Sequence, residues 1–88
     1  MATPQTQAQA QSSSIVYAGY GVYNQTADAT TAIRKAYGKG ERIFTANNNW
    51  VGDPAPGARK YLYILWKANG NESSGVTGEN DDHGISVP

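Results

Sequence analysis

Cysteine is absent from the 88-residue chain, which excludes disulfide bridges and thiolate-bound metals. An excess of charge is also missing, because seven basic and seven acidic side chains give a formal net charge of zero. Nucleic-acid-binding surfaces normally carry clustered lysine and arginine. We therefore predict no nucleic-acid partner.

Long apolar runs are missing too. The longest is Tyr61–Trp66, whereas a transmembrane helix needs about 20 apolar residues. The chain does not open with a basic segment followed by an apolar one, so no signal peptide is visible. We predict no membrane span, and a location that is either cytoplasmic or secreted without a visible signal peptide.

Residues with catalytic chemistry are scarce. His83 is the only histidine, and it lies in the polar segment NDDHG, which is typical of an exposed loop. Nucleophilic catalysis needs a base beside the nucleophile, and the glycine pattern that cradles phosphates is also absent. We therefore predict that the protein is not an enzyme and needs no cofactor.

The acidic segment Glu79–Asp82 offers oxygen atoms to a calcium ion. Its spacing differs from that of the helix-flanked calcium loop, in which a glutamate follows the glycine by six residues. A solvated turn is the favoured interpretation. No metal ligand is assigned, and calcium binding stays open.

Composition divides the chain into two parts. Residues 1–14 are rich in Gln and Ser and have no large apolar side chain after Met1, so we predict a disordered tail. Residues 15–88 form a single β domain. A core of this size supplies only a few kcal/mol, so we expect subunit contacts and a homo-oligomer.

The pattern along residues 15–88 is mainly that of strands. Period-two alternation predicts strands in SIVYAGYGVY, ERIFTA, ARKYLYILWKA and ISVP. Asn69-Gly70 predicts a hairpin turn. Ala29, Ile33 and Tyr37 recur at helical spacing, with Thr26 or Asp28 available as the cap. The predicted fold is mostly β: a small antiparallel β-sandwich with one short α-helix over about residues 28–37.

The strand ARKYLYILWKA is apolar on both faces. Leu62, Ile64 and Trp66 point one way. The opposite face carries Tyr61, Tyr63 and Leu65. Such a strand is either covered on both sides or carries a subunit interface. Tyr61, Tyr63 and Leu65 are therefore candidate interface residues.

The loop TANNNWVGDPAPG contains the candidate ligand-binding residues. Neutral sugars are bound by an aromatic ring that stacks on the sugar and by carboxamides or carboxylates that bond its hydroxyl groups. The loop supplies these groups in Asn47, Asn48, Asn49, Trp50 and Asp53. A structural interpretation is also open, because asparagines bond their own backbone in turns, Trp50 can close one end of the core and Asp53 can hold the turn.

Three blocks in order carry a family resemblance: ADATTAIRKAYGKG, ANNNWVGDPAPGARKYLYILW and the final ISVP. The most specific part is Asn47-Asn48, the segment Gly52–Gly57 and the β run from Lys60. In these blocks the chain resembles the small C-terminal domain of unknown function of the DnaJ-like protein subfamily C member eleven and its standalone fungal and bacterial relatives. The resemblance implies no specific activity, and without a J-domain sequence it implies no co-chaperone role.

Two functions remain from the residues. One is a small lectin-like domain that binds a neutral glycan, with Trp50 stacked on the sugar and the asparagines bonding its hydroxyls. The other is a protein-interaction or self-assembly module without a small ligand, which uses Tyr61, Tyr63 and Leu65.

Overall fold

The computed structural model describes residues 13–88. The strands and the helix follow in the order β1 Ser13–Val22, β2 Gln25–Asp28, α1 Thr30–Gly38, β3 Ile43–Phe44, β4 Tyr61–Ala68, β5 Asn71–Gly78 and β6 Ile85–Ser86. All strand pairs are antiparallel. The predicted mostly β fold with one short helix is confirmed. Most of the predicted tail lies outside the described residues, and β1 begins within it, at Ser13.

The domain has two layers. Strands β2-β1-β4-β5 form a four-stranded sheet, and β3 and β6 form a two-stranded sheet. The helix and the small sheet cover the same face of the large one, and apolar residues from all three make one core. The largest fully buried side chains belong to this core: Tyr20, Phe44, Ile33, Leu62, Ile64 and Val87. The opposite face of the large sheet has no second layer among residues 13–88.

A β-bulge changes the predicted alternation in β1. Ile15 pairs with Trp66 and Tyr17 pairs with Leu65, so Val16 is the extra residue between them. Strict period-two alternation puts the side chains of Ile15 and Tyr17 on the same face of the strand, and this prediction was wrong. The bulge turns Ile15 inward, to 3% exposure, and Tyr17 outward, to 43%.

The helix begins where a side chain can satisfy its first amide. The Thr30 N–H donates to Asp28 Oδ1 at 2.9 Å. The N-cap residue is nevertheless Ala29, which has no side-chain cap hydrogen bond. The prediction of Thr26 or Asp28 as the cap was therefore wrong, because Asp28 lies one residue before the cap position. Ala29 and Ile33 are fully buried and Tyr37 packs against the core, so the predicted stripe is confirmed. The helix has nine residues, and among residues 13–88 no helix is long and apolar enough to cross a membrane.

The β4–β5 hairpin turns at Asn69-Gly70, as predicted. Both residues have positive φ, 54° and 84°, which is the backbone of a two-residue hairpin turn. Strand β4 then directs Leu62, Ile64 and Trp66 into the core. Its other face looks away from the helix.

Candidate functional site

The loop between β3 and β4 uses most of its polar side chains to hold its own shape. Asn47 Nδ2 donates to the carbonyl and to the hydroxyl oxygen of Thr45, both at 3.2 Å. Asn47 Oδ1 accepts the Asn49 N–H at 2.9 Å. These contacts are those of an Asx turn. The Asn47 carboxamide is therefore engaged by the loop itself.

The next two asparagines differ from each other. Asn48 Oδ1 lies 2.7 Å from the hydroxyl of buried Tyr20, which donates to it. The Asn49 side chain is exposed and makes no hydrogen bond to other residues in the described part of the chain. Of the three carboxamides, that of Asn49 is the one without any hydrogen-bond partner among residues 13–88.

Trp50 closes one end of the core. Its indole N–H donates to the Thr45 carbonyl at 2.7 Å. Its ring lies 6.1 Å from that of Phe44, at an angle of 49°. The side chain is half-buried against the core. The side chain is therefore partly accessible, while the indole nitrogen already has a partner.

Asp53 closes the GDPAPG turn. Its Oδ1 accepts the Ala55 N–H at 3.1 Å and lies 3.1 Å from Lys60 Nζ. This geometry corresponds to the structural role considered for Asp53 from the sequence. The carboxylate holds the turn and balances a buried cation.

Lys60 is buried, and it was not among the predicted site residues. The residue is only 3% exposed, and its ammonium group donates to the carbonyls of Ala58 at 2.7 Å and Ala55 at 3.3 Å. Glu79 Oε1 lies 3.3 Å from Lys60 Nζ, so the ammonium group contacts two carboxylates, those of Glu79 and Asp53. The position has the parity of the inward residues Leu62 and Ile64, so strand alternation could have predicted that it points inward.

Glu79 joins this lysine to Tyr20. Glu79 Oε1 accepts the Lys60 backbone N–H at 2.9 Å, and Oε2 lies 3.0 Å from the Tyr20 hydroxyl. A phenol has one proton, so the Tyr20 hydroxyl can donate to only one of these two oxygens at a time. With the Asn48 carboxamide rotated, its NH₂ group would donate to the Tyr20 oxygen, and the Tyr20 proton would go to Glu79. We call Tyr20, Asn48, Asp53, Lys60 and Glu79 the Lys60 cluster.

In the Lys60 cluster one buried ammonium group contacts two partly exposed carboxylates, those of Asp53 and Glu79. The hydrogen bond from the Lys60 backbone lowers the pKa of Glu79, with smaller contributions from Tyr20 and the Lys60 side chain. Burial opposes the charged form of Lys60, but Asp53 and Glu79 outweigh it and raise the pKa of the ammonium group. Burial, then Glu79, raises the pKa of Tyr20. At neutral pH the cluster therefore contains a charged lysine, an ionised Glu79 and a neutral phenol.

The acidic segment after β5 also binds its own chain. Asp81 Oδ2 accepts the Gly78 N–H at 2.7 Å, and the Arg59 guanidinium pairs with Oδ1. Arg59 also lies over the Tyr61 ring, 4.9 Å from its centroid. Among residues 13–88, no group of three or more His, Asp or Glu side chains could hold a metal ion. The Glu79 and Asp81 carboxylates face different cations.

The uncovered face of the large sheet carries the candidate interface residues. Tyr17, Tyr63 and Val76 are 43%, 39% and 58% exposed, and Tyr61 and Leu65 are half-buried. Cross-strand pairing places Tyr17 beside Leu65, and Tyr63 beside Val76. We call these five residues the open face. Tyr17 and Val76 were not among the predicted interface residues, because the bulge and the extent of β5 were not predicted.

A shallow groove lies at the N-terminal end of β1. It has a volume of about 430 Å³ and is lined by Ser13, Ser14, Ile15, Val16, Arg34 and Tyr37. Arg34 Nε donates to the Ile15 carbonyl at 3.0 Å, so the cation in the groove already has a backbone partner. None of the predicted site residues lines it.

The chain matches no protein-family model, no curated protein and no solved structure. The resemblance to the C-terminal domain of the DnaJ-like protein subfamily C member eleven therefore stays a prediction.

Proposed function

We propose that the protein is a self-assembly module whose open face packs against a second copy of the same chain. The observation that carries the proposal is the exposure of Tyr17, Tyr63 and Val76 side by side on one face of the sheet. Aromatic residues are enriched in protein interfaces, and a contiguous apolar patch is typical of an interaction surface.

The size of the face fits a small interface. The four strands have ten, four, eight and eight residues. At about 4.8 Å between strands and about 3.4 Å per residue, they cover about 500 Å². Two copies packed face to face would bury about 1,000 Å² in total, near the lower limit for a specific protein–protein interface. Because the domain core is small, this burial adds substantially to its stability.

Charge does not oppose contact between two copies. The chain has no net charge. At one end of the face Lys67 pairs in register with Glu72, so opposite charges lie side by side there. A second copy therefore meets an apolar centre with a balanced rim, which is the usual layout of an interface.

Mutation of the open face tests the proposal. Tyr63→Asp places a carboxylate at its centre, and burial of an unpaired charge is strongly unfavourable. We expect light scattering at micromolar concentration to give an oligomer for the wild-type protein and a lower mass for Tyr63→Asp. Tyr23→Asp is the matched control, because Tyr23 is 96% exposed and lies in the β1–β2 turn. An unchanged mass for Tyr63→Asp would overturn the proposal.

Carbohydrate binding is a second candidate, supported by the exposed Asn49 carboxamide, which is next in sequence to the partly accessible Trp50. A glycan array followed by tryptophan fluorescence titration tests it, and we expect Asn49→Ala to weaken any binding without loss of fold. The candidate fails if no glycan binds, or if Asn49→Ala binds as tightly as the wild-type protein.

A further inference from the structure

The edges of the four-stranded sheet differ in how they are protected. Strand β1 extends beyond the short β2, and side chains of α1 bond its free backbone groups. Arg34 donates to the carbonyls of Ile15 and Val16. The Thr30 hydroxyl accepts the Ala18 N–H at 2.9 Å. The part of β1 that extends beyond β2 is therefore closed to another strand.

Strand β5 forms the other edge and is largely unprotected. A two-residue turn closes on the hydrogen-bonded pair Ala68–Asn71, so alternate residues of β5 direct their backbone groups away from β4. These outward residues are Glu72, Ser74, Val76 and Gly78. Farther along, the Glu79 N–H donates to the Lys60 carbonyl at 2.9 Å, as this alternation requires.

Only the end of this edge has a partner within the described residues. Asp81 accepts the Gly78 N–H with its carboxylate and donates its own N–H to the Gly78 carbonyl at 3.1 Å. Glu72, Ser74 and Val76 have no such backbone partner among residues 13–88. All three are exposed. The segment lacks the proline or lysine that natural proteins place on free edges.

We propose that β5 pairs antiparallel with β5 of a second copy, with the two-fold axis at Ser74. Ser74 then lies opposite Ser74 of the second copy, and Glu72 lies opposite Val76. This register allows about six backbone hydrogen bonds, two at each of three residue pairs. A shift of two residues in either direction loses one of the three pairs. Because the three free residues are spaced symmetrically about Ser74, a second copy can pair with all of them at once.

The side chains also fit this register. Ser73 lies opposite Gly75 of the second copy. Both side chains are small, so they do not hinder the close approach of the two strands. The two Glu72 carboxylates are four residues apart along the pair, about 14 Å, which exceeds the Debye length of about 8 Å at physiological ionic strength. The one charge on the free edge therefore does not repel its copy.

The paired edge does not depend on the open face, although Val76 belongs to both. The edge contact uses backbone groups of β5, whereas the open face uses side chains that project from the sheet. Edge pairing would join two open faces into one eight-stranded surface. Each contact is isologous, so each by itself closes as a dimer.

Amide hydrogen exchange measured by NMR tests the edge directly. The amides of Ser73, Gly75 and Thr77 bond to β4 and are protected in the monomer, so they are internal controls. We expect the amides of Glu72, Ser74 and Val76 to gain at least about tenfold protection as the protein concentration rises. Unprotected amides at these three positions, at concentrations where the protein is oligomeric, would overturn the inference.

A proline variant provides the second test, in a Tyr63→Asp background that removes the open-face contact. Ser74→Pro deletes an N–H that β4 does not use, and proline is tolerated on edge strands. We expect Tyr63→Asp to be a dimer and Tyr63→Asp with Ser74→Pro to be a monomer, while Ser74→Ala leaves the dimer intact. A monomeric Tyr63→Asp protein overturns the edge pairing and leaves the open-face proposal standing. Should the proline variant fail to fold, the exchange measurement decides.

Discussion

Tyr20 joins parts of the chain that are far apart in the sequence. Its ring is fully buried under α1 and the small sheet, and its hydroxyl reaches Asn48 and Glu79. These residues lie 28 and 59 positions away. No local pattern could predict such contacts, because each depends on the final packing. The Asx turns of Asn47 and Asp53 are different, since each spans two residues and follows from the residue type.

Removal of the Tyr20 hydroxyl tests the importance of the Lys60 cluster for stability. Tyr20→Phe keeps the ring and leaves polar atoms of Asn48 and Glu79 without this partner. We expect a loss of about 1–2 kcal/mol in the free energy of unfolding. A domain of this size loses about 4–8 °C of Tm for each kcal/mol. Tyr23→Phe is the control, because Tyr23 is exposed.

Thermal unfolding followed by circular dichroism gives both values. Equal melting temperatures for the two variants would contradict the assignment of a structural role to this hydroxyl.

Elements with strong local signals could be predicted from the sequence. Asn69-Gly70 identified the β4–β5 turn, and the stripe of Ala29, Ile33 and Tyr37 identified α1. Strand β2 was missed because QTAD lacks the apolar alternation of a half-buried strand. The length of β5 was missed for the same reason, since NESSGVTG owes its conformation to pairing with β4.

The β1–β2 hairpin depends on a glycine. A Cβ on Gly21 would lie 2.2 Å from the Gln25 carbonyl oxygen, so the two strands could not approach as they do. We expect Gly21→Ala to lower the free energy of unfolding by about 1–3 kcal/mol, as overpacking does. Gly38→Ala is the matched control, because nothing lies within 4 Å of its added Cβ. Alanine in a helix is favoured over glycine by about 0.5–1 kcal/mol.

Urea unfolding of the two glycine variants should therefore move the midpoint in opposite directions. A Gly21→Ala protein as stable as the wild type would show that the hairpin contributes little to the domain.

At the scale of the whole molecule, the ionisable groups predict two limits of stability on the pH axis. The pKa values of Glu79, Asp81 and Asp28 are lowered by hydrogen bonds to their carboxylates. A lowered pKa means that the unfolded chain takes up the proton first as the pH falls. The stabilisation is therefore present above the ordinary carboxyl pKa of about 4 and is lost as the pH falls below it.

The alkaline limit comes from groups whose pKa is raised in the folded protein. The pKa values of Tyr20 and Lys60 are raised, so the unfolded chain loses these protons first as the pH rises. Their stabilisation is complete below about pH 10 and is lost above it. We expect the Tm to form a plateau between about pH 5 and 9 and to fall on both sides. Measurement of Tm against pH for wild type and Tyr20→Phe checks this, because the variant lacks the Tyr20 contribution and should fall less steeply above pH 10. A Tm that stays level down to pH 2 would contradict the acid limit, and identical alkaline slopes would remove Tyr20 from the alkaline one.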